Sequence, residues 1–222
     1  GSVGILIFNS NLYANQAPDR PGGGTVAWTN PWGGRRYFND IEIREDGGTP
    51  PFLQTIRAAQ AIKLKEEMGV GKILKREKEI LDRLFPALEK IEKVKILDGQ
   101  IKDRLGIISF TIKKAHYNLV VRLLNDRFGI QTRGGCACAG TYGHYLFNIN
   151  KRVSRKITGR IDCGDLSSKP GFVRLSIHPT MSDREITTII AALKQIAKNC
   201  KEWSRDYKYN CQTNEFIYNS LK

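Results

Sequence analysis

The stretch Phe172-Val173-Arg174-Leu175-Ser176-Ile177-His178-Pro179-Thr180-Met181-Ser182-Asp183-Arg184-Glu185 decides the fold. Its first five residues read as a strand, and a turn follows. Ser182 and Glu185 then stand at capping-box spacing, so a helix starts there. That helix turns Ile186, Ile189, Ile190, Leu193 and Ile196 to one face. Upstream, 94–97 and 106–112 read as strands. A helix over 116–128 carries Leu119, Val120, Leu123 and Leu124 inward and ends at Gly129, before a brief strand at 130–133. Two helices come first. One begins near Pro51, with Phe52, Ile56, Ala59 and Ile62 at helical spacing, and stops at Gly69. The next starts near Val70 with Ile73, Leu74, Ile80, Leu81, Leu84, Phe85, Leu88 and Ile91 on its stripe, and Pro86 predicts a kink or an end. The order ααββαββα predicts an α+β fold: a small, antiparallel-rich sheet covered by helices on one face.

Around this frame the text is less regular. The apolar run 3–8 suits a buried strand, and 9–50 is rich in Gly, Pro, Asn and Trp with no sustained period. So long an irregular stretch points to function or to an interface. Residues 150–170 are basic and polar and read as an exposed excursion. The expected organisation is therefore an irregular interface segment at 1–50, an α+β domain at 51–205 and a tail at 206–222.

Bulk properties exclude several classes. No apolar run approaches a membrane span and no signal peptide opens the chain, which predicts a cytoplasmic protein without a membrane partner. Gly1 and Ser2 read equally as a cloning scar or as native sequence, and the lack of an initiator Met favours a chain cut from something longer. Five cysteines, an odd number, predict reduced thiols rather than a disulfide framework. The net charge of +14 attracts polyanions. Lys72, Lys75, Arg76 and Lys78 are interleaved with Glu77 and Glu79, however, the pattern of a solvated helix face, so no specific nucleic-acid partner is expected.

Four segments carry chemistry. Pro21-Gly22-Gly23-Gly24-Thr25-Val26 can cradle a phosphate with backbone N–H groups and a hydroxyl, or be a plain turn. Gly48-Thr49-Pro50 leads into the first helix with Thr49 as cap and Pro50 at its first position. Arg133-Gly134-Gly135-Cys136-Ala137-Cys138 sets thiols on a Gly-rich loop near a guanidinium, the setting of a nucleophile. A zinc site with His144 and Cys163 is the alternative, although the paired spacing of zinc ribbons is lacking. Arg174, on the strand quoted above, can hold a carboxylate through two parallel hydrogen bonds or can simply face solvent.

In this order and spacing, over about residues 4–199, the four segments resemble the C-terminal region of class V aminotransferases and cysteine desulfurases, fold-type I enzymes dependent on pyridoxal phosphate. The resemblance implies that Gly24 and Thr25 hold the cofactor phosphate of a partner subunit in a homodimer. It implies that Arg174 binds the substrate carboxylate, and Arg133 is a second substrate-binding candidate. It makes Cys138, five residues after Arg133, the candidate nucleophile and Cys136 a second candidate or a resolving thiol. An amino acid is then the substrate, and a sulfur acceptor protein a further partner. The loop departs from the His-His-Cys run of typical group II desulfurases. The family's cofactor lysine lies in a Ser/Gly-His-Lys segment, and no lysine here follows a histidine. The resemblance therefore implies a C-terminal portion that is inactive alone. A stand-alone basic binding or assembly module derived from this domain is the competing reading.

Overall fold

The computed structural model describes residues 3–219, and the chain divides into two compact units that meet between Val70 and Gly71. The first unit holds the hairpin β1 (Val26–Thr29) and β2 (Arg35–Tyr37), then α1 (Ile41–Glu45) and α2 (Phe52–Met68). The expected helix start moves. Pro50 precedes Pro51, and a residue before proline is driven out of the helical region, so α2 begins only at Phe52 and has no side-chain cap. Gly69, at φ 78°, ends it as predicted. The run 3–8 is not the buried strand expected. It has no regular structure and no strand partner among the described residues, with Leu6 83% and Ile7 91% exposed, because strand hydrogen bonds need a neighbour.

The second unit contains α3 (Val70–Glu89), β3 (Val94–Ile96), β4 (Ile107–Ile112), α4 (Tyr117–Phe128), β5 (Arg133–Gly135), α5 (Gly140–Leu146), α6 (Lys151–Asp162), β6 (Phe172–Ser176), α7 (Asp183–Trp203), β7 (Tyr207–Asn210) and β8 (Glu215–Tyr218). The sheet runs β3-β4-β6-β5 with every neighbour antiparallel. Alternate residues of β4 and β6, among them Ile108, Phe110, Val173 and Leu175, are buried under α3, α4 and α7. The predicted α+β sandwich is thus present. Ser182 and Glu185 form the full capping box at the start of α7, and Ile186, Leu193 and Ile196 beneath it are buried. Burying side chains of this size supplies about 1.5–3 kcal/mol each, which outweighs the weak intrinsic propensities.

Three expectations shift. Of the two outcomes expected at Pro86, an end is not found, because the helix runs on to Glu89, and the missing N–H removes one bond, to the Asp82 carbonyl, near the end of the helix. β5 starts at Arg133 rather than 130, because the Ile130 N–H is used to close the end of α4 on the Leu124 carbonyl at 3.0 Å. The basic excursion contains α6, an exposed helix capped by Asn150, after the short α5.

Within the expected tail, β7 and β8 form a hairpin, and residues 220–222, like Gly1 and Ser2, lie outside the described ones. It is locked to α4 by Asn214, buried at φ 60°. Asn214 donates to the Tyr117 hydroxyl at 2.6 Å and accepts from Tyr209 at 2.9 Å, while its carbonyl accepts from Asn118 at 2.5 Å. Tyr207 donates to Asp126 at 3.1 Å, and burial with this carboxylate beside it pushes its phenol up to about 12. Replacing Asn214 with Ala leaves buried partners unsatisfied and keeps the left-handed backbone. Urea unfolding should show a loss of about 2–3 kcal/mol.

Candidate active site

β6 pairs with β4 on one side and β5 on the other, and the register sets Ser109, Arg174 and Arg133 on one rung. Residues directly opposite point to the same side of a sheet. Val173 and Phe110, one residue away, are buried in the core, so this rung lies on the face that the helices leave open. Two guanidiniums therefore face the same region from adjacent strands. Arg174 is half-buried and its Nε is buried with no hydrogen-bond partner.

From Arg133 the chain enters the cysteine loop. Arg133 Nη2 donates to Cys138 Sγ at 3.2 Å, and Cys138 is exposed. Cys136 turns the other way. Its thiol donates to the Pro170 carbonyl at 3.0 Å, and burial pushes the thiol up, an effect that the Lys169 charge only partly offsets. Ala137 and Cys138 both have left-handed backbones, at φ 48° and 64°, which L residues adopt at a cost of about 1 kcal/mol or more apiece. The loop is held by Ala139 N–H on the Cys136 carbonyl at 2.8 Å. α5 packs on it through Gly143, where any Cβ would sit 3.1 Å from Cys136 Sγ. Tyr142 of α5 donates to Asp98 in the turn after β3. His144 bonds the Gly140 carbonyl at 2.8 Å with one ring nitrogen and the Ser154 hydroxyl at 2.9 Å with the other, tying α5 to α6. Neither His144 nor Tyr142 was singled out as a support of this loop by sequence reasoning. The only signal was their place just after the cysteines.

In the first unit the two glycine-rich segments cross. A Cβ at Gly22 would lie 3.0 Å from the backbone of Gly47, and Gly48 N–H donates to the Gly23 carbonyl at 2.8 Å. Gly24 has φ 86° with open space where a side chain would go. Thr25 is wholly buried and its hydroxyl donates to the Gly22 carbonyl at 2.7 Å.

The sequence model of the family described as aminotransferase class-V matches residues 2–189. The chain belongs to that family. A probable cysteine desulfurase of Pyrococcus abyssi is 25% identical over 90% of this chain and 44% of its own length. A solved cysteine desulfurase of Thermococcus onnurineus superposes with a TM-score of 0.63 at 23% identity, covering 82% of this chain and 40% of that one. A solved variant of a cystine C–S lyase, with glycine covalently linked to its pyridoxal phosphate cofactor, superposes at 0.56 with 16% identity, over 80% of this chain and 37% of that one. The chain thus spans less than half the length of these relatives. The fold-type expected from the four segments is the fold of these structures. Pyridoxal phosphate is the cofactor of this class V family.

The two thiols should differ in reactivity. In a time course with iodoacetamide near neutral pH, peptide mass spectrometry should find Cys138 modified about tenfold faster than Cys136, whose thiolate is disfavoured by burial.

Proposed function

We propose that this chain is the C-terminal portion of a pyridoxal-phosphate enzyme of the cysteine desulfurase type, with Cys138 as nucleophile and Arg174 as the carboxylate clamp. The observation that carries the reading is the rung on which Arg174 and Arg133 face one region, with Cys138 Sγ 3.2 Å from the Arg133 guanidinium. Like charges directly opposite on a sheet are destabilising, so this pairing is retained for an anion. The amino-acid carboxylate fits it. A planar guanidinium accepts two carboxylate oxygens at once, and the Nε of Arg174 has no other partner.

The cofactor, when bound, withdraws electrons from the α-carbon of the substrate. Arg174 fixes the substrate by its carboxylate. Cys138 Sγ attacks the substrate sulfur, an S–S bond forms and the C–S bond breaks. The bonding pair stays with the carbon skeleton, which takes up a proton and leaves as alanine. Arg133 orients Cys138, and Cys136, tied to Pro170, holds the loop rather than reacting. Gly24 and Thr25 are proposed to meet the cofactor phosphate of a second subunit in a homodimer. Gly24, with open space at its Cα, would hold that phosphate through its backbone N–H, and Thr25, whose hydroxyl donates to the Gly22 carbonyl, would shape the turn that presents it. Exposed Trp28 and Trp32 in the same unit suit a subunit interface. A cytoplasmic setting, where thiols stay reduced, suits the five free cysteines.

Because none of its lysines follows a histidine as in the family's cofactor segment, the chain alone should release no sulfide from cysteine. Pyridoxal phosphate followed by borohydride should label no single lysine. A stoichiometric adduct on one lysine, with sulfide release, would falsify the inactivity. In the full-length protein Cys138→Ala should abolish sulfide release. Arg174→Ala should raise KM for cysteine by about a hundredfold, the loss of a charged hydrogen-bonded pair.

A further inference from the structure

α5 is seven residues long, too short for its own hydrogen bonds to hold it, and Ala139 gives it no side-chain cap. Gly140 and Gly143 weaken it further. Its position is therefore set from outside. His144 is half-buried and both its ring nitrogens are engaged. The Gly140 carbonyl can only accept, so Nδ1 of the neutral ring carries the proton. Nε2 is then left as the acceptor of the Ser154 hydroxyl, at 2.9 Å.

The other end of that bond stands on α6, where Ser154, Ile157 and Ile161 are half-buried and every other residue is exposed. α6 is not kept for its own stability. Lys151 and Arg155, Arg152 and Lys156, and Lys156 and Arg160 are like charges at the i,i+4 spacing where they repel. A serine inside a helix commonly returns its hydroxyl to the carbonyl one turn back. Ser154 instead reaches His144, ten residues earlier.

From His144 the path to the thiols is short. Its neighbour Gly143 is buried against Cys136, with 3.1 Å from a Cβ position to Sγ. Gly143 N–H donates to the Ala139 carbonyl at 2.7 Å, and Ala139 N–H to the Cys136 carbonyl at 2.8 Å. Cys138 lies between those two residues.

We infer, on the reading of Cys138 as nucleophile, that His144 and Ser154 are positioning residues for it. Their bond braces α5 against α6, which keeps Cys136 turned in to Pro170 and Cys138 turned out beside Arg133. Arg174 is held by strand pairing and does not depend on this brace.

The test alkylates the chain, His144→Ala, Ser154→Ala, the double variant and Ser154→Thr with iodoacetamide, and follows each cysteine by peptide mass. In either alanine variant the Cys136 rate should rise about fivefold, closing most of its gap to Cys138. Cys200, buried on α7, should stay unreactive and so report an intact fold. Both changes cut one bond, so the double variant should go no further than His144→Ala. Ser154→Thr keeps the hydroxyl and should behave as the native chain. An unchanged Cys136, additive effects, or release of Cys200 in step with Cys136 would overturn the inference. These rates need neither cofactor nor turnover, so their failure leaves the desulfurase reading standing. In the full-length protein loaded with pyridoxal phosphate, Ser154→Ala should lower kcat for sulfide release about fivefold, with KM for cysteine within about twofold. A raised KM with kcat unchanged would contradict the brace.

Discussion

Two arginines placed opposite one another on a sheet are the constraint around which this molecule is arranged. Arg133 and Arg174 share a rung only because β6 lies between β4 and β5 with this register. A slip of β6 by one residue would turn Arg174 into the core and Val173 out of it, leaving Arg133 without its opposite number. The register is fixed in turn by the other face, where Phe110, Val173 and Leu175 are buried against α3, α4 and α7. The apolar face thus determines what the polar face presents.

Repulsion between the guanidiniums is relieved locally. Arg133 reaches toward Cys138, and Arg174 is left half-buried with a donor unspent. The left-handed backbone at Ala137 and Cys138 is a second local cost, met by the bonds of Cys136 to Pro170 and Ala139 to Cys136. Strain held by surrounding contacts fixes where a side chain points. Here it sends one thiol outward beside a cation and the other inward to a carbonyl.

Much of the second unit was legible in the sequence. Burial on one face imposes a period, which is why α4, β6 and α7 and their caps at Gly129 and Ser182 were readable. The hairpin of 207–218 was missed because its strands are four residues each, too short for the alternation of Tyr207 and Tyr209 to set a period, and its lock at Asn214 is polar. α6 was missed because its residues are chosen against helix electrostatics. The run 3–8 misled for the opposite reason: its composition suits a buried strand, yet no described strand pairs with it. For the site, the residue types at Arg133, Cys138 and Arg174 were readable from spacing. That Arg133 and Arg174 share a rung, and that Cys136 and Cys138 point apart, required the register and the loop.

The most direct test of the account is where sulfur resides during turnover. The full-length protein, loaded with pyridoxal phosphate, is given cysteine with radiolabelled sulfur, quenched with an alkylating agent and mapped by peptide mass. A persulfide is expected on Cys138, with Cys136 unmodified. Label on Cys136, or turnover with no persulfide on either thiol, would contradict it.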